Sequence, residues 1–242
     1  MRKSVGALSL SAAYTYSHSI DDASDRYDTN FVNSYDVAAS RASSSFDQRH
    51  MLNVGYVYDL PFFNKRTGLV HSTLGGWQWS GIVGFSTGTP FTVTNGSTFG
   101  DNAGVGNGVG TGSYADVVGN PKANIPPRSQ VTLSSDAFFL YNPGAFAVPT
   151  GLTFGNAGRN SLRNPNRTNF DMALFKHFAI KESTAFEFRF EAFNVFNHSE
   201  WSGSSSPPSF GGINGGFGSS GFLEIGGAHL ARVLQVALKF IF

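Results

Sequence analysis

Apolar and polar residues alternate without a break along the last ten residues, 233–242. Because successive side chains of a strand point to opposite faces, this pattern predicts a β-strand with one wholly apolar side. That side carries Leu234, Val236, Leu238, Phe240 and Phe242. The sequence around the strand predicts no helix that could cover the apolar side in water. A lipid bilayer is the other solvent that accepts such a surface, provided that the sheet closes.

Five further segments have the same alternation, and each has roughly the ~9 to 11 residues that a tilted strand needs to cross a bilayer. They are residues 4–16, 49–60, 76–86, 168–178 and 184–195. The contrast is clearest in 184–195, where Phe186, Phe188 and Phe190 alternate with Glu187, Arg189 and Glu191. With 233–242, the pattern predicts an antiparallel sheet of about six strands.

The connections between these segments alternate in length. Residues 17–48, 88–167 and 197–228 form long connections, whereas 61–75 and 179–183 form short ones. A soluble β-sandwich would also alternate, but it does not explain long excursions on one side only. We therefore predict an all-β fold, an antiparallel transmembrane β-barrel segment with long extracellular loops and short periplasmic turns. Its C-terminus would be periplasmic. If the chain instead formed a small barrel by itself, two extra strands near 91–93 and 131–140 would bring the count to eight.

Composition narrows the function classes. Charged residues are 14% of the chain, against about 25% in soluble domains, and there are 24 Phe. No apolar run approaches the ~18 residues of a membrane helix, which excludes a helical membrane protein. The net charge of +1 gives no preference for nucleic acid, and the absence of cysteine removes disulfides and thiolate metal sites.

Local motifs give no catalytic, cofactor or metal site. Residues 84–88 match the GxSxG pattern, but an extended Pro-containing stretch follows instead of the helix that a nucleophile elbow needs. A cluster of aspartates lacks the Gly and Glu of an EF-hand and predicts a solvated acidic loop; it comprises Asp21, Asp22, Asp25 and Asp28. The histidines are scattered, and 100–112 predicts a flexible loop instead of a phosphate cradle. We therefore expect no enzyme and no cofactor.

One row of polar residues is expected to face the barrel interior from the last two strands. It consists of Glu187, Arg189, Glu191, Gln235 and Lys239. Such charges occur in any barrel with a wet interior, so a structural role is the first expectation and substrate contact is the alternative.

Four blocks of sequence resemble the C-terminal strands of TonB-dependent receptors, and most closely the Oar-like group common in Acidobacteria. They are 45–54 (SFDQRHMLNV), 158–165 (GRNSLRNP) leading into 169–171 (NFD), 188–198 (FRFEAFNVFNH) and 232–242. The resemblance implies a barrel of roughly 22 strands closed by a plug domain. It also implies uptake of a carbohydrate, peptide or metal chelate, with outer-membrane lipid, the barrel assembly machinery and the TonB complex as partners.

The chain departs from that pattern because it has no plug, no TonB box and about a quarter of the strands. We therefore expect residues 1–242 to be a single barrel region, the C-terminal fragment of a longer receptor. The alternative is a small self-contained barrel that acts as a passive pore or adhesin. At the C-terminus, Phe242, Phe240 and Leu238 resemble the signal read by the assembly machinery, although a lipid-facing strand requires such residues in any case.

Overall fold

The main element of the fold is an antiparallel sheet of seven strands, in which strands adjacent in sequence are adjacent in space. The computed structural model describes residues 2–24, 33, 35–63, 68–95, 114–132, 137–150, 153–181, 184–202, 216–217, 221–225 and 227–242. The strands are β1 (Arg2–Val5), β2 (Leu8–Tyr16), β3 (His50–Asp59), β4 (Trp77–Ser86), β5 (Arg167–Lys181), β6 (Thr184–Phe193) and β7 (Val233–Ile241). Within these ranges β1 pairs only with β2 and β7 only with β6, so the sheet is open.

The predicted all-β antiparallel fold is confirmed, but the prediction for its first strand is wrong. Residues 4–16 form a hairpin, in which β1 folds back on β2 and Val5 lies opposite Leu8. Gly6 makes the turn possible, since its φ of 58° is one that glycine adopts without strain. The strand predicted over 168–178 is also longer than expected, because β5 continues to Lys181.

The register places most large apolar residues on one side of the sheet. Met172 lies opposite Ala192, Leu174 opposite Phe190, and Phe186 opposite Phe240. We call this side the apolar face and the opposite side the polar face. Lys176 is a cation on the apolar face, where it lies between Trp77 and Phe188.

The three long connections leave the sheet at one end and the short ones leave at the other. Because neighbouring strands are antiparallel, 17–49, 87–166 and 194–232 share the end that we call the loop end. The hairpin of β1 and β2, the connection from β3 to β4 and the last residue, Phe242, lie at the opposite end, the turn end. The predicted separation of long and short connections is therefore present.

The described residues of the long connections form short elements. Their two-residue strands are Ile20–Asp21, Ala42–Ser43, Pro90–Phe91, Thr94–Asn95, Asp116–Val117, Phe138–Phe139, Phe146–Ala147, Leu162–Arg163, Trp201–Ser202, Gly216–Phe217, Glu224–Ile225 and Gly227–Ala228. Their 3-10 helices are Val37–Ser40, Arg128–Gln130 and Pro143–Ala145. The described residues near the two predicted extra strands, 91–93 and 131–140, do not join the main sheet, and 133–136 lie outside the described residues. Pro90–Phe91 pairs with Leu162–Arg163, and Phe138–Phe139 pairs with Glu224–Ile225.

The buried apolar core lies in the loops and not on the sheet. Its members are Val93, Tyr114, Ala115, Tyr141, Ala145, Phe146, Ala157, Leu162, Phe222, Leu223 and Ile225. Phe146 packs edge-on against Phe222, with ring centroids 5.9 Å apart. The Glu224 carboxylate accepts hydrogen bonds from the backbone N–H and the hydroxyl of Thr132. The second and third long connections thus fold on each other, and we call this unit the loop cap.

The turn end carries α1 (Leu69–Leu74), which connects β3 to β4. In the described part of the chain, no helix has the length and apolar character needed to cross a membrane.

Candidate functional site

The polar face of the sheet carries the row predicted from the last two strands. Glu187 lies directly opposite Lys239, and Glu191 lies opposite Gln235. Arg189 Nε donates to Glu187 Oε1 at 2.9 Å, and its guanidinium lies 5.6 Å from the centre of the Phe175 ring. Since pairs of this kind contribute only about 0.2 to 1 kcal/mol each, the geometry supports a modest effect on stability. Whether the row also contacts a ligand stays a prediction.

A groove of about 420 Å³ crosses the middle of the same face. Its polar lining consists of hydroxyls and carboxylates, from Ser9, Ser11, Ser80, Asp171 and Glu191. The lining also includes the apolar residues Val57, Ile82 and Phe193 and the small residues Gly55 and Ala173, and it is more apolar than polar. Such a lining can hydrogen-bond to hydroxyl or amino groups. It contains two carboxylates and no Lys or Arg, which disfavours anions.

Asp171 is the groove residue held most firmly in place. Its Oδ1 accepts from the backbone N–H of Asn194 at 2.9 Å, and its Oδ2 accepts from Asn169 Nδ2 at 2.9 Å. One carboxylate therefore connects β5 to the turn that follows β6. Sequence reasoning placed Asp171 on the polar face but did not single it out, because the alternation of β5 does not show which strands bring polar groups beside it.

The predicted assembly residues lie on the outermost strand of the sheet. Leu238, Phe240 and Phe242 are 66%, 48% and 93% exposed. The Phe240 ring lies between two others, with centroids 4.9 Å from Phe186 and 5.9 Å from Phe242. These side chains are therefore accessible from the apolar face and from the turn end, as recognition by another protein requires.

A second set of polar contacts connects the loops above the sheet. The Asp47 carboxylate, whose side chain is 1% exposed, accepts from Arg163 Nη2 and from the backbone N–H of Ser19 at 2.9 Å. His18 Nδ1 lies 3.2 Å and Arg49 Nε 3.7 Å from the same carboxylate. We call this set the rim cluster. It joins the first long connection to the second.

Other residues of 158–165 make further contacts between the first and the second long connection. Arg159 Nη1 donates to Asp21 Oδ1 at 2.8 Å, and its side chain is 7% exposed. Asn160 Nδ2 donates to the carbonyl oxygen of Ser43 at 2.7 Å. At Gly88, an added Cβ would lie 1.8 Å from the carbonyl oxygen of Asn164, so only glycine permits this close approach of the backbones.

The buried carboxylate of Asp47 and the partly buried carboxylate of Asp21 both have a lowered pKa. Burial alone would raise the pKa of Asp47, but the hydrogen bonds from Arg163, the Ser19 backbone and His18 outweigh it. Burial is likewise outweighed at Asp21, whose pKa is lowered by hydrogen bonds from Ser44, Arg159 and Ser24. Both groups are therefore ionised near neutral pH.

The two remaining blocks of the resemblance also meet at the loop end. The rings of Phe170 and Phe196 contact each other edge-on, with centroids 5.0 Å apart. Asn197 Oδ1 accepts from the backbone N–H of Arg232 at 3.0 Å. The Asp47–Arg163 pair joins 45–54 to 158–165. The Phe170–Phe196 contact joins 169–171 to 188–198, and the hydrogen bond between Asn197 and Arg232 joins 188–198 to 232–242. These motif residues fix the strand ends and loops to one another.

Other sequence candidates do not assemble into sites. The expectation of a solvated acidic loop is wrong for Asp21, which is paired with Arg159, while Asp22 is exposed. Asp25, Asp28 and 100–112 lie outside the described residues. Within the described ranges, no group of three or more His, Asp or Glu side chains could hold a metal ion. The GxSxG serine, Ser86, ends β4 and is followed by an extended segment.

Comparison with known proteins gives one match. A family model described as "Outer membrane beta barrel domain" matches residues 1–235. Searches of curated proteins and of solved structures found no match.

Proposed function

Since the chain belongs to the outer membrane β-barrel domain family, we propose that it forms part of the barrel wall of a TonB-dependent receptor. The receptor would take up a bulky ligand across the outer membrane, with energy from the inner membrane. The four blocks that resemble such receptors, joined at the loop end by the contacts described above, support this proposal.

In this proposal the apolar face contacts lipid and the polar face lines the barrel interior. The loop end lies outside the cell, and Phe242 lies in the periplasm. The lengths of the connections support this orientation, because outer-membrane barrels have long extracellular loops and short periplasmic turns.

The observation that carries the proposal is the open sheet. Among the described residues, β7 pairs with β6 alone. The part of β2 after Ser11 pairs with β3 alone, because β1 extends only as far as Ser11. Unpaired backbone groups cost several kcal/mol each in hydrocarbon, so a stable wall requires further strands beside β2 and β7. A larger barrel supplies them, which favours a receptor over a self-contained pore.

The groove on the polar face favours a carbohydrate among the candidate ligands. Three serine hydroxyls and the carboxylates of Asp171 and Glu191 are suited to the hydroxyl groups of a sugar chain. An anionic metal chelate would meet two negative charges and no positive one in the lining. The loop cap, which has its own buried core, would hold the capturing surface above the groove.

The experiment measures uptake of radiolabelled maltoheptaose by cells that carry the protein in the outer membrane. We expect accumulation to stop when a protonophore collapses the inner-membrane potential or when TonB is deleted. We also expect Glu191→Gln to reduce uptake severalfold. Asp59→Asn is the matched control, because Asp59 is an exposed carboxylate on the same face outside the groove.

Uptake that persists after both treatments would contradict the receptor and favour a passive pore. Steady ion conductance by the isolated chain in a planar bilayer would contradict it as well, because a closed barrel would then form without further strands.

A further inference from the structure

The connection between β3 and β4 exposes an unusual number of apolar side chains at the turn end. They are Phe62, Phe63, Leu69, Val70 and Leu74, which are 62%, 47%, 83%, 46% and 51% exposed. Several large apolar side chains exposed in one connection are unusual on the aqueous side of a protein, and exposed apolar patches mark contacts with a membrane or a partner.

The helix in this connection is amphipathic. At 3.6 residues per turn, Leu69, Val70 and Leu74 fall within an arc of about 140°. His71 and Ser72 occupy the other side. Thr73 lies within the apolar arc, where its hydroxyl donates to the Leu69 carbonyl oxygen at 2.7 Å. Ser72 Oγ donates to the Gly68 carbonyl oxygen at 3.2 Å, and His71 Nδ1 lies 3.3 Å from the carbonyl oxygen of Phe63. The polar side chains thus bond to the connection itself, while about half or more of each apolar side chain is exposed.

Two contacts hold the helix beside the apolar face of the sheet. The indole Nε1 of Trp77 donates to the carbonyl oxygen of Thr73 at 3.2 Å, and Lys176 Nζ donates to the carbonyl oxygen of Gly75. Trp77 and Lys176 are opposite each other on the apolar face. The exposed side of the helix is therefore continuous with the surface that contacts lipid in the proposed function.

Lys176 lies beside the ring of Trp77 on the apolar face. The Lys176 amino group lies 5.6 Å from the centre of the Trp77 ring and 4.9 Å from that of Phe178. The Lys176 side chain is only 2% exposed, so its amino group is buried against a backbone carbonyl at the end of the sheet and does not reach water. Tryptophan is the residue enriched where a bilayer meets water.

We propose that Phe62, Phe63 and α1 form an interfacial anchor, with Leu69, Val70 and Leu74 inserted among the lipid acyl chains of the leaflet at the turn end. The occupant of this surface is lipid because the anchor continues the apolar face and is fixed to it by Trp77 and Lys176. The inference rests on the proposed placement in the membrane. It adds that a connection beyond the strands also enters the leaflet.

The absence of cysteine from the chain allows a direct test by site-directed spin labelling. Leu69→Cys reports on the proposed anchor, and Ser72→Cys is the matched control on the polar side of the same helix. Leu238→Cys on β7 reports whether the apolar face itself is in lipid. Each labelled protein is reconstituted in phosphatidylethanolamine and phosphatidylglycerol vesicles, and its collisions with oxygen and with a water-soluble nickel chelate are measured.

We expect the label at Leu69 to collide more often with oxygen than with the chelate, as the label at Leu238 does. The ratio of the two collision rates should be severalfold higher at Leu69 than at Ser72. Strong collision with the chelate at Leu69, with Leu238 in lipid, would overturn the anchor and leave the barrel intact. A Leu69 label that neither reagent reaches would overturn it in favour of a protein partner, such as a second copy of the chain. A Leu238 label in water would instead overturn the membrane placement, and the anchor with it.

Discussion

Removing the charge of Asp47 should release the second long connection from the first. Breaking a buried ion pair by loss of one partner costs about 3 to 5 kcal/mol. The cost is smaller here, because Arg163 and Arg49 are 31% and 44% exposed and can regain water. Asparagine also retains an oxygen that can accept from the Ser19 backbone. We therefore expect Asp47→Asn to lower the free energy of local opening by about 2 to 3 kcal/mol, less than the full penalty.

Hydrogen exchange measured by mass spectrometry gives the readout. The amides of Asn160, Arg163 and Asn164 are hydrogen-bonded to Thr92 Oγ1, the Tyr141 hydroxyl and the Thr89 carbonyl oxygen, at 3.0, 3.1 and 2.9 Å. These bonds lie within the second long connection, and we expect them to open when that connection loses its attachment to Asp47. At 1.4 kcal/mol per tenfold change, their protection should fall by about 30- to 150-fold. Protection in β6 should not change.

Asp59→Asn is the matched control, since the exposed Asp59 accepts a hydrogen bond from Gln78 Nε2 at 2.8 Å. It should change protection at 158–165 by less than about twofold, because exposed polar pairs contribute little. Equal effects of the two substitutions would refute the reasoning. So would additive effects of Asp47→Asn and Arg163→Gln, because residues that form one pair should show a coupling energy.

Four further outcomes follow from the structure. Because the pKa of Asp47 is lowered, its ionised form stabilises the rim cluster fully above the ordinary value of 3.8, and this stabilisation is lost as pH falls through the lowered pKa. The exchange rate at 158–165, corrected for the intrinsic effect of pH on amide exchange, should therefore be constant from pH 7 to 5 and rise only below pH 3.8. Leu223→Ala, at a side chain that is 0% exposed, should destabilise the loop cap by about 2 to 5 kcal/mol, seen as faster exchange in the cap and unchanged exchange in the strands. Gly88→Ala should open the loop end, whereas Gly84→Ala, where the nearest atom lies at 3.7 Å, should leave its exchange unchanged. Deletion of Phe242 should reduce the fraction inserted in outer membranes while leaving the circular dichroism of the detergent-refolded chain unchanged; equal insertion would contradict a role as an assembly signal.

The strands were predictable because period-two alternation depends only on local sequence. The hairpin of β1 and β2 was missed although a signal was present. Val5 is out of phase with Leu8, and Gly6 stands between them. Two strands joined by a two-residue turn were therefore interpreted as one.

The loop cap and the rim cluster could not be predicted in the same way. Two-residue strands are too short to have a period, and the core draws Val93, Leu162 and Leu223 from distant parts of the chain. Asp47 and Arg163 are 116 residues apart. The resemblance marked both as motif residues, but only the folded chain shows that they bind each other.

The shared core of the loop cap also constrains the order in which the protein folds and inserts into the membrane. Val93 and Tyr114 come from one connection, while Leu223 and Ile225 come from another, after β5 and β6 have been made. A core divided in this way cannot form until both connections are on the same side of the membrane. In the proposed orientation both connections lie outside the cell, so we expect the cap to fold only after both have crossed the outer membrane.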